Sequence, residues 1–164
     1  MFSRFSCHTP IHIPEVKKET LVEYDYEPPS GTIVYCQLGP VEHSGIYIGK
    51  KTIVQLNGNG EIEVVSPSKF TDSVGTLDRD IMVPFDGNTD LGDDSWKDCN
   101  AVSYYGIADN ARAMVGKKRD YSWILDNCHQ FSAGCITGNF DNGNNSLWML
   151  KVLVQKEVNH EDPV

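Results

Sequence analysis

The sequence lacks any long hydrophobic run. A membrane-spanning helix needs about 20 consecutive apolar residues, whereas the longest apolar candidate, Leu147–Val154, is short and contains Lys151. The N-terminal residues also lack the continuous apolar segment of a secretory signal. We therefore expect a soluble, cytoplasmic protein with no integral membrane segment.

Positive charge is also scarce. The 164 residues include 14 Lys and Arg against 23 Asp and Glu, which gives a formal net charge of −9. Nucleic-acid backbones and anionic membrane surfaces attract proteins that carry basic patches. The charge balance therefore predicts that nucleic acid is not a partner of this protein.

Residues arranged for disulfides or metals are missing as well. The five cysteines are odd in number and irregularly spaced, unlike a disulfide framework, and reduced thiols fit a cytoplasmic setting. Cys7, His8 and His12 have no second pair that would complete a four-ligand metal site. The acidic segment Asp86–Asp98 lacks the glycine position and the closing glutamate of a calcium loop. We expect no metal site.

The chain has the usual length of one domain with one apolar core. A single domain is predicted over residues 31–155, followed by a flexible C-terminus over residues 156–164. Residues 1–30 are predicted to form an extended arm, because prolines there interrupt any helix. These prolines are Pro10, Pro14, Pro28 and Pro29.

Strand patterns come first along the chain, and helical patterns follow. Alternating and β-branched residues predict four strands: Thr32–Gln37, His43–Gly49, Thr52–Leu56 and Glu61–Val65. Leu77–Pro84 is a candidate for one more short strand. Apolar residues at three- and four-residue steps predict a helix over residues 101–115, capped by Gly116, and a second helix should run from near Asn127 to near Gly138. This order predicts an α+β fold in which an antiparallel sheet packs against helices.

The second predicted helix begins at a cysteine. Asn127 is a favourable N-cap residue and Gln130 stands three positions later, which is the pattern of a capping box. Cys128 would then be the first helical residue, where backbone N–H groups lack helical partners and carry partial positive charge. Such a position should lower the pKa of the thiol from about 8.5. The backbone N–H groups of Cys128 and His129 could also hold a developing oxyanion.

A nucleophilic thiol also needs a base. His129 is adjacent to Cys128, but neighbouring side chains on a helix point in different directions. His43 begins an alternating strand, and Gln55 in the next strand would be its diagonal neighbour on the same face. Gln55 could hydrogen-bond one imidazole nitrogen and leave the other for the thiol. The alternative for Cys128 is a buried packing residue, since most free cysteines have that role.

The position of Gln55 depends on the hairpin register. If Gly49–Lys51 form a three-residue loop, Ile48 faces Thr52 and Gly45 faces Gln55. A two-residue loop would move every side chain of the second strand to the other face. The three-residue loop is therefore the expectation on which the proposed site depends.

Two segments carry a family resemblance: GTIVYCQLGPVEHSGIYIG, followed by Gln55, and LDNCHQF. They resemble the lecithin:retinol acyltransferase (LRAT-like) family, a circularly permuted branch of the NlpC-type, papain-like cysteine enzymes. That family combines a strand of the form H-x-x-I-Y-x-G, a polar residue in the next strand, and a later helix start N-C-E-H-F. The resemblance covers roughly residues 30–140. It implies a circularly permuted papain-like fold.

The resemblance also implies roles for three residues. Cys128 would attack an acyl carbonyl, His43 would take the thiol proton, and Gln55 would stand in the place of the third, orienting residue. Animal members usually have a second histidine where this chain has Gln55. A glutamine can orient an imidazole but cannot share its charge.

The leading hypothesis is a thiol-dependent acyl hydrolase or acyltransferase that works through a cysteine thioester. Its partner would be an acyl-bearing small molecule, a lipid or a peptide, and no cofactor is required, since a thiol and an imidazole suffice. One alternative is a peptidase or amidase that cuts peptide or cell-wall amides. A long apolar tunnel would favour lipid chains, and a polar groove would favour peptides. The other alternative is a catalytically inactive binding module of the same fold.

Overall fold

The computed structural model describes residues 4–6, 28–38, 40–72, 80–83, 105–122 and 127–160. The acidic segment 86–98 lies outside the described residues, as do residues 7–27 of the proposed arm. The predicted limits of the arm, the domain and the C-terminal segment stay predictions. The elements are β1 (Arg4–Ser6), β2 (Ile33–Leu38), β3 (Val41–Gly49), β4 (Thr52–Leu56), β5 (Ile62–Val65), α1 (Pro67–Phe70), β6 (Asp80–Met82), α2 (Tyr105–Met114), α3 (Cys128–Thr137) and α4 (Leu147–His160).

The strands form one sheet in the order β1-β6-β2-β3-β4-β5. The pairs from β6 to β5 are antiparallel, and β1 joins the edge in parallel with β6. Consecutive strands from β2 to β5 are neighbours, as short connections favour. The predicted α+β class, with an antiparallel sheet and helices, is confirmed. The circular permutation stays a prediction.

The sheet has apolar side chains on both faces, because successive residues of a strand point to opposite sides. One buried cluster joins the sheet to the three longer helices and includes Ile33, Tyr35, Ile46, Val54, Ala111, Phe131 and Leu150. The other lies on the face covered by α1 and includes Val34, Cys36, Tyr47, Ile53 and Phe70. Strand β3 therefore lies in the interior, with α3 on one side and α1 on the other.

The β3–β4 hairpin corrects the predicted loop. Gly49 pairs with Thr52, so the loop has two residues, and the predicted pairing of Ile48 with Thr52 is wrong. Lys50 and Lys51 both have positive φ, 52° and 54°, as a tight hairpin turn requires. A bulge between Tyr47 and Gly49 takes up one residue. Gly45 consequently still faces Gln55, as predicted.

The helices α2 and α3 follow their predicted signals, whereas α1 and α4 were not predicted. Gly138 ends α3 in the left-handed region, at φ 75°, and Gly116 follows α2 at φ 84°, as C-terminal glycines commonly do. Residues 101–104 of the first predicted helix lie outside the described residues. The apolar stretch Leu147–Val154 was not predicted as a helix, yet it forms most of α4. Within the described residues, no helix is both long and apolar enough to cross a membrane.

Candidate active site

The start of α3 has the predicted capping box. Asn127 has extended backbone angles, and its side-chain oxygen accepts hydrogen bonds from the amides of His129 and Gln130, at 2.9 and 3.2 Å. The Gln130 side chain accepts in return from the Asn127 amide, at 3.2 Å. The side-chain Nδ2 of Asn127 donates to Asn145 O at 2.7 Å, which ties the cap to the segment before α4. Cys128 is thereby held as the first residue of a fixed helix end.

The Cys128 sulfur lies against the backbone of β3. Its Sγ is 4.0 Å from the carbonyl oxygen of Glu42. Hydrogen bonds from the backbone and side chain of Ser44, and from the backbone amides of Cys128 and His129, favour the thiolate. Glu42 and Ser44 are the two neighbours of His43 in the chain. The fold therefore brings the candidate nucleophile to the strand residues on either side of the candidate base.

Burial has the opposite effect from these hydrogen bonds on the pKa of Cys128. Cys128 is only 3% exposed, and the loss of water around the sulfur raises the pKa of the Cys128 thiol above its ordinary value. The expectation of a lowered pKa is therefore wrong for this structure. The sequence pattern correctly indicated the helix start, but it could not show how deeply the thiol lies beneath neighbouring elements.

His43 and Gln55 are in direct contact. The His43 Nε2 and Gln55 Oε1 atoms are 2.9 Å apart in a buried hydrogen bond, as expected for diagonal neighbours on one face of a hairpin. The His43 ring also lies 4.9 Å from the Phe70 ring. Burial lowers the pKa of His43, and the hydrogen bond to Gln55 opposes that effect. A neutral imidazole, able to accept a proton, is the resulting resting form.

The side chain of Gln55 is in turn held by Glu63 in β5. Its Nε2 donates to Glu63 Oε1 at 3.0 Å, and the same oxygen accepts from Asn57 Nδ2 at 3.1 Å. Glu63 Oε2 lies 2.9 Å from Lys69 Nζ. The hydrogen bond with Lys69 is the largest effect on the pKa of Glu63 and lowers it; the contacts with Asn57 and Gln55 also lower it, and burial opposes them. A continuous chain of contacts thus runs from Lys69 to His43.

His129 occupies a different place from His43. Its Nδ1 lies 2.9 Å from Ser44 Oγ, which is in turn 3.0 Å from Ser132 Oγ. Burial, together with the charge of His43, lowers the pKa of His129 to about 4. Its side chain is directed to the α3 side of β3, so it does not take the place of Gln55 beside His43.

A cavity of about 170 Å³ opens beside these residues. His43, Gln55 and Tyr121 line it, with Glu42 and Val41 at the start of β3. Its remaining lining comes from the β4–β5 turn and from α1 with the residues after it: Asn57, Gly58, Lys69, Phe70 and Asp72. Burial and the nearby Cys128 raise the pKa of Tyr121 to about 12, so the phenol that lines the cavity is neutral.

The described cysteines Cys36, Cys128 and Cys135 are free thiols. Burial raises the pKa of Cys135 well above its ordinary value, and Cys36 Sγ lies 3.7 Å from Phe70 O. In the part of the chain that the structure describes, no group of three metal-ligating side chains comes together. Cys7, His8 and His12 lie outside that part.

Comparison with protein families identifies the family of the chain. The family model described as lecithin retinol acyltransferase (LRAT) matches residues 26–141, well over half of the chain. The chain belongs to the LRAT family. This membership fits an acyltransferase or hydrolase activity in the broad sense. A comparison with curated proteins found no match.

Sequence reasoning missed two side chains of this LRAT-family site. Ser44 follows His43 in the chain and contacts the thiol from the helix side of β3. Glu63 pairs with Gln55 across the β4–β5 ladder. The predicted strands Thr52–Leu56 and Glu61–Val65 leave a four-residue turn, which would pair Gln55 with Ile62 and place Glu63 on the other face. In the structure the connection is one residue longer, and Gln55 pairs with Glu63. Nothing in the sequence indicated which buried group would approach Ser44.

Proposed function

We propose that this LRAT-family protein is a thiol-dependent acyl hydrolase or acyltransferase in which Cys128 forms a thioester. The observation that carries the proposal is the position of Sγ, at a capped helix start and against the residues flanking His43. A nucleophile, a base and a group that orients the base are the three parts that such chemistry needs. Cys128, His43 and Gln55 supply them in that order.

The base is ready at neutral pH because burial keeps His43 uncharged. With Nε2 bonded to Gln55 Oε1, the other ring nitrogen, Nδ1, is the one that takes the proton from Cys128. The amides and the Ser44 hydroxyl around Sγ then stabilise the thiolate. Burial keeps the thiol protonated at rest, and proton transfer to His43 then produces the reactive thiolate.

The thiolate attacks the carbonyl carbon of an acyl ester or amide. The backbone N–H of Cys128 is the main donor for the oxyanion, because the His129 amide is shared between Sγ and Asn127 Oδ1, to which it donates at 2.9 Å. The carbonyl double bond re-forms, the bond to the leaving group breaks, and that group takes the proton from His43. Water or another acceptor, deprotonated by His43, then cleaves the thioester and regenerates the Cys128 thiol.

Trapping of the thioester tests the proposal. Incubation with p-nitrophenyl acetate should acetylate the wild-type protein at Cys128, as shown by intact-mass and peptide-mass measurement. Cys135→Ala is the matched control, since Cys135 lies two turns along the same helix and is also buried; it should still be acetylated. His43→Gln should acylate at least about a hundredfold more slowly, the usual loss when general-base catalysis is removed.

Either of two results would contradict the proposal. The first is a folded wild-type protein that is not acetylated, which would favour a catalytically inactive binding module. The second is an adduct that persists in Cys128→Ala at the wild-type rate. A selective alkylating reagent gives an independent check: Cys128 should react faster near neutral pH in the wild type than in His43→Gln, because the reaction needs a base to take the thiol proton.

Polar side chains that line the cavity favour a second candidate function that uses the same nucleophile and base, that of an amidase or peptidase. Glu42, Asn57, Lys69 and Asp72 give the cavity polar groups that a peptide backbone can bind. Parallel rate measurements on a short peptide amide and on a phospholipid decide between the two. Turnover of the lipid without any turnover of the peptide amide would reject the amide candidate.

A further inference from the structure

We propose that Glu63 is a positioning residue for the base: through Gln55, it determines which ring nitrogen of His43 carries the proton. This inference rests on the proposed function, since it concerns how the base of that reaction is prepared. It extends the site by one strand, from the β3–β4 hairpin to β5. The substrate and Cys128 need no contact with Glu63 for this role.

The reasoning starts from what each group can donate. A side-chain amide can turn over, so that either its oxygen or its nitrogen faces a given neighbour. An ionised carboxylate has only acceptors. Glu63 is ionised because Lys69 lies against it, 2.9 Å away, and lowers its pKa. The Gln55 group that faces Glu63 at 3.0 Å must therefore be the NH₂.

Fixing one end of the Gln55 amide fixes the other. With its nitrogen on Glu63, its oxygen is directed to His43 Nε2 at 2.9 Å. An oxygen acceptor there requires a hydrogen on Nε2. Nδ1 of a neutral His43 then has the free lone pair, which is what the proposed proton transfer from the thiol needs. The opposite amide orientation would put two acceptor oxygens against each other at Glu63.

Contacts with neighbouring residues fix the position of the Glu63 carboxylate. Glu63 and Gln55 are directly paired residues of β5 and β4, and such pairs lie side by side on one face. Asn57 donates to the same Glu63 oxygen at 3.1 Å, and its own Oδ1 accepts from the amides of Asn59 and Glu61 in the β4–β5 turn. Lys69 sits on α1, whose start is capped by the Ser66 hydroxyl. The carboxylate is thus held from three elements.

The test removes the acceptor while it keeps the size of the side chain. In Glu63→Met, the Gln55 amide should turn freely, and the His43 ring should become a mixture of the Nε2–H and Nδ1–H forms. Two-bond ¹H–¹⁵N NMR correlations of the His43 ring report this directly. The rate of Cys128 alkylation and the turnover number should fall about tenfold, with KM little changed, because the base and not the substrate cavity is altered.

Two further variants separate orientation from charge. Glu63→Gln keeps an oxygen that Gln55 can donate to, so it should retain the Nε2–H form and a rate within about twofold of wild type. Glu61→Met removes a carboxylate from the same hairpin, one paired with Lys118 at 3.0 Å, and should change neither measurement. In the double variant Gln55→Glu, Glu63→Met, an acceptor again faces His43, so the Nε2–H form should return even if the single variant is less stable.

Retention of a pure Nε2–H form in folded Glu63→Met would overturn the inference, as would an equal effect of Glu61→Met. The NMR measurement needs neither substrate nor catalysis. A protein that fails to form an acyl adduct but shows the tautomer change would reject the proposed function and keep the role of Glu63. Formation of the acyl adduct without a tautomer change in Glu63→Met would reject only the role of Glu63.

Discussion

At the scale of single residues, burial sets the charge of each group in the candidate site. Burial raises the pKa of Cys128 and lowers those of His43 and His129, since water no longer stabilises the ionised forms. The two histidines are therefore neutral at rest, and the thiol is protonated.

The lowered pKa of His129 predicts a loss of stability in mild acid. An unfolded histidine titrates near 6.5, whereas the folded one titrates at about 4, so the unfolded state binds protons more tightly as the pH falls below 6.5. Stability should fall by about 2 kcal/mol between pH 6.5 and 4.5, at about 1.4 kcal/mol per unit of pKa difference. Denaturant titrations at the two pH values measure this loss.

His129→Asn is the variant that assigns this effect. An asparagine can keep a hydrogen bond to Ser44 Oγ but cannot take up the proton. Its stability should fall clearly less than that of wild type, with a residual loss from His43, whose pKa is also lowered. The same pH dependence in both proteins would exclude His129 as the source.

At the scale of elements, α3 is the most deeply embedded helix of the site. Its residues from Cys128 to Cys135 are all buried, and it contacts β3, α2 and α4. The following segment folds back so closely that a Cβ added at Gly134 would lie 2.4 Å from Cδ1 of Phe140. The Phe140 ring is also 6.1 Å from that of Phe131. Close packing of this return segment is therefore one source of the fixed position of Cys128.

Two glycine-to-alanine substitutions test this packing. Gly134→Ala should destabilise the protein by about 1 to 2 kcal/mol, since overpacking of a tight contact outweighs the better helix propensity of alanine. Gly106→Ala, on exposed α2 surface with no atom within 4 Å of an added Cβ, should be neutral or stabilise by up to about 1 kcal/mol. Urea denaturation midpoints should move in opposite directions. A stabilising Gly134→Ala would contradict the described approach of Phe140.

At the scale of the whole molecule, the segment after α2 covers the outer strand of the sheet. The Arg119 amide donates to Gly60 O at 2.8 Å, and the Ile62 amide donates to Lys117 O at 3.1 Å. Glu61 and Lys118 form an isolated antiparallel bridge. Uncovered edges present unpaired backbone groups to other chains. The cover also joins the helical half of the chain to the β4–β5 hairpin, which carries Gln55.

Gly60 is the residue on which this junction depends most. Its φ of +78° is strained for other residues, and an added Cβ would lie 2.0 Å from Arg119 O. Gly60→Ala should therefore cost at least about 3 kcal/mol, from left-handed backbone strain and from the displaced junction. Gly58→Ala, in the same turn with nothing within 4 Å, should stay within about 0.5 kcal/mol of wild type. Thermal unfolding compares the two, and equal melting temperatures would contradict the junction.

Local sequence signals determined the elements that carry the site. The capping box at Asn127 and Gln130 depends on neighbours in the chain, so it could be read directly and was confirmed. The alternating β3 and β4 strands were likewise correct, and so was the pairing of Gly45 with Gln55. The left-handed glycines at the ends of α2 and α3 are also local features, since each depends on the backbone of one residue.

The tertiary structure decided what depends on distant contacts. The bulge near Ile48 preserved the position of Gln55 despite a two-residue loop, because packing on both faces of the sheet fixes the register. The direction of the Cys128 pKa shift followed from burial between elements, which no local pattern contains. The contact between Glu63 and Lys69 joins β5 to α1. Sequence alone thus named the candidate groups, while folding set their charge and the contacts that support them, because both depend on what surrounds a side chain in space.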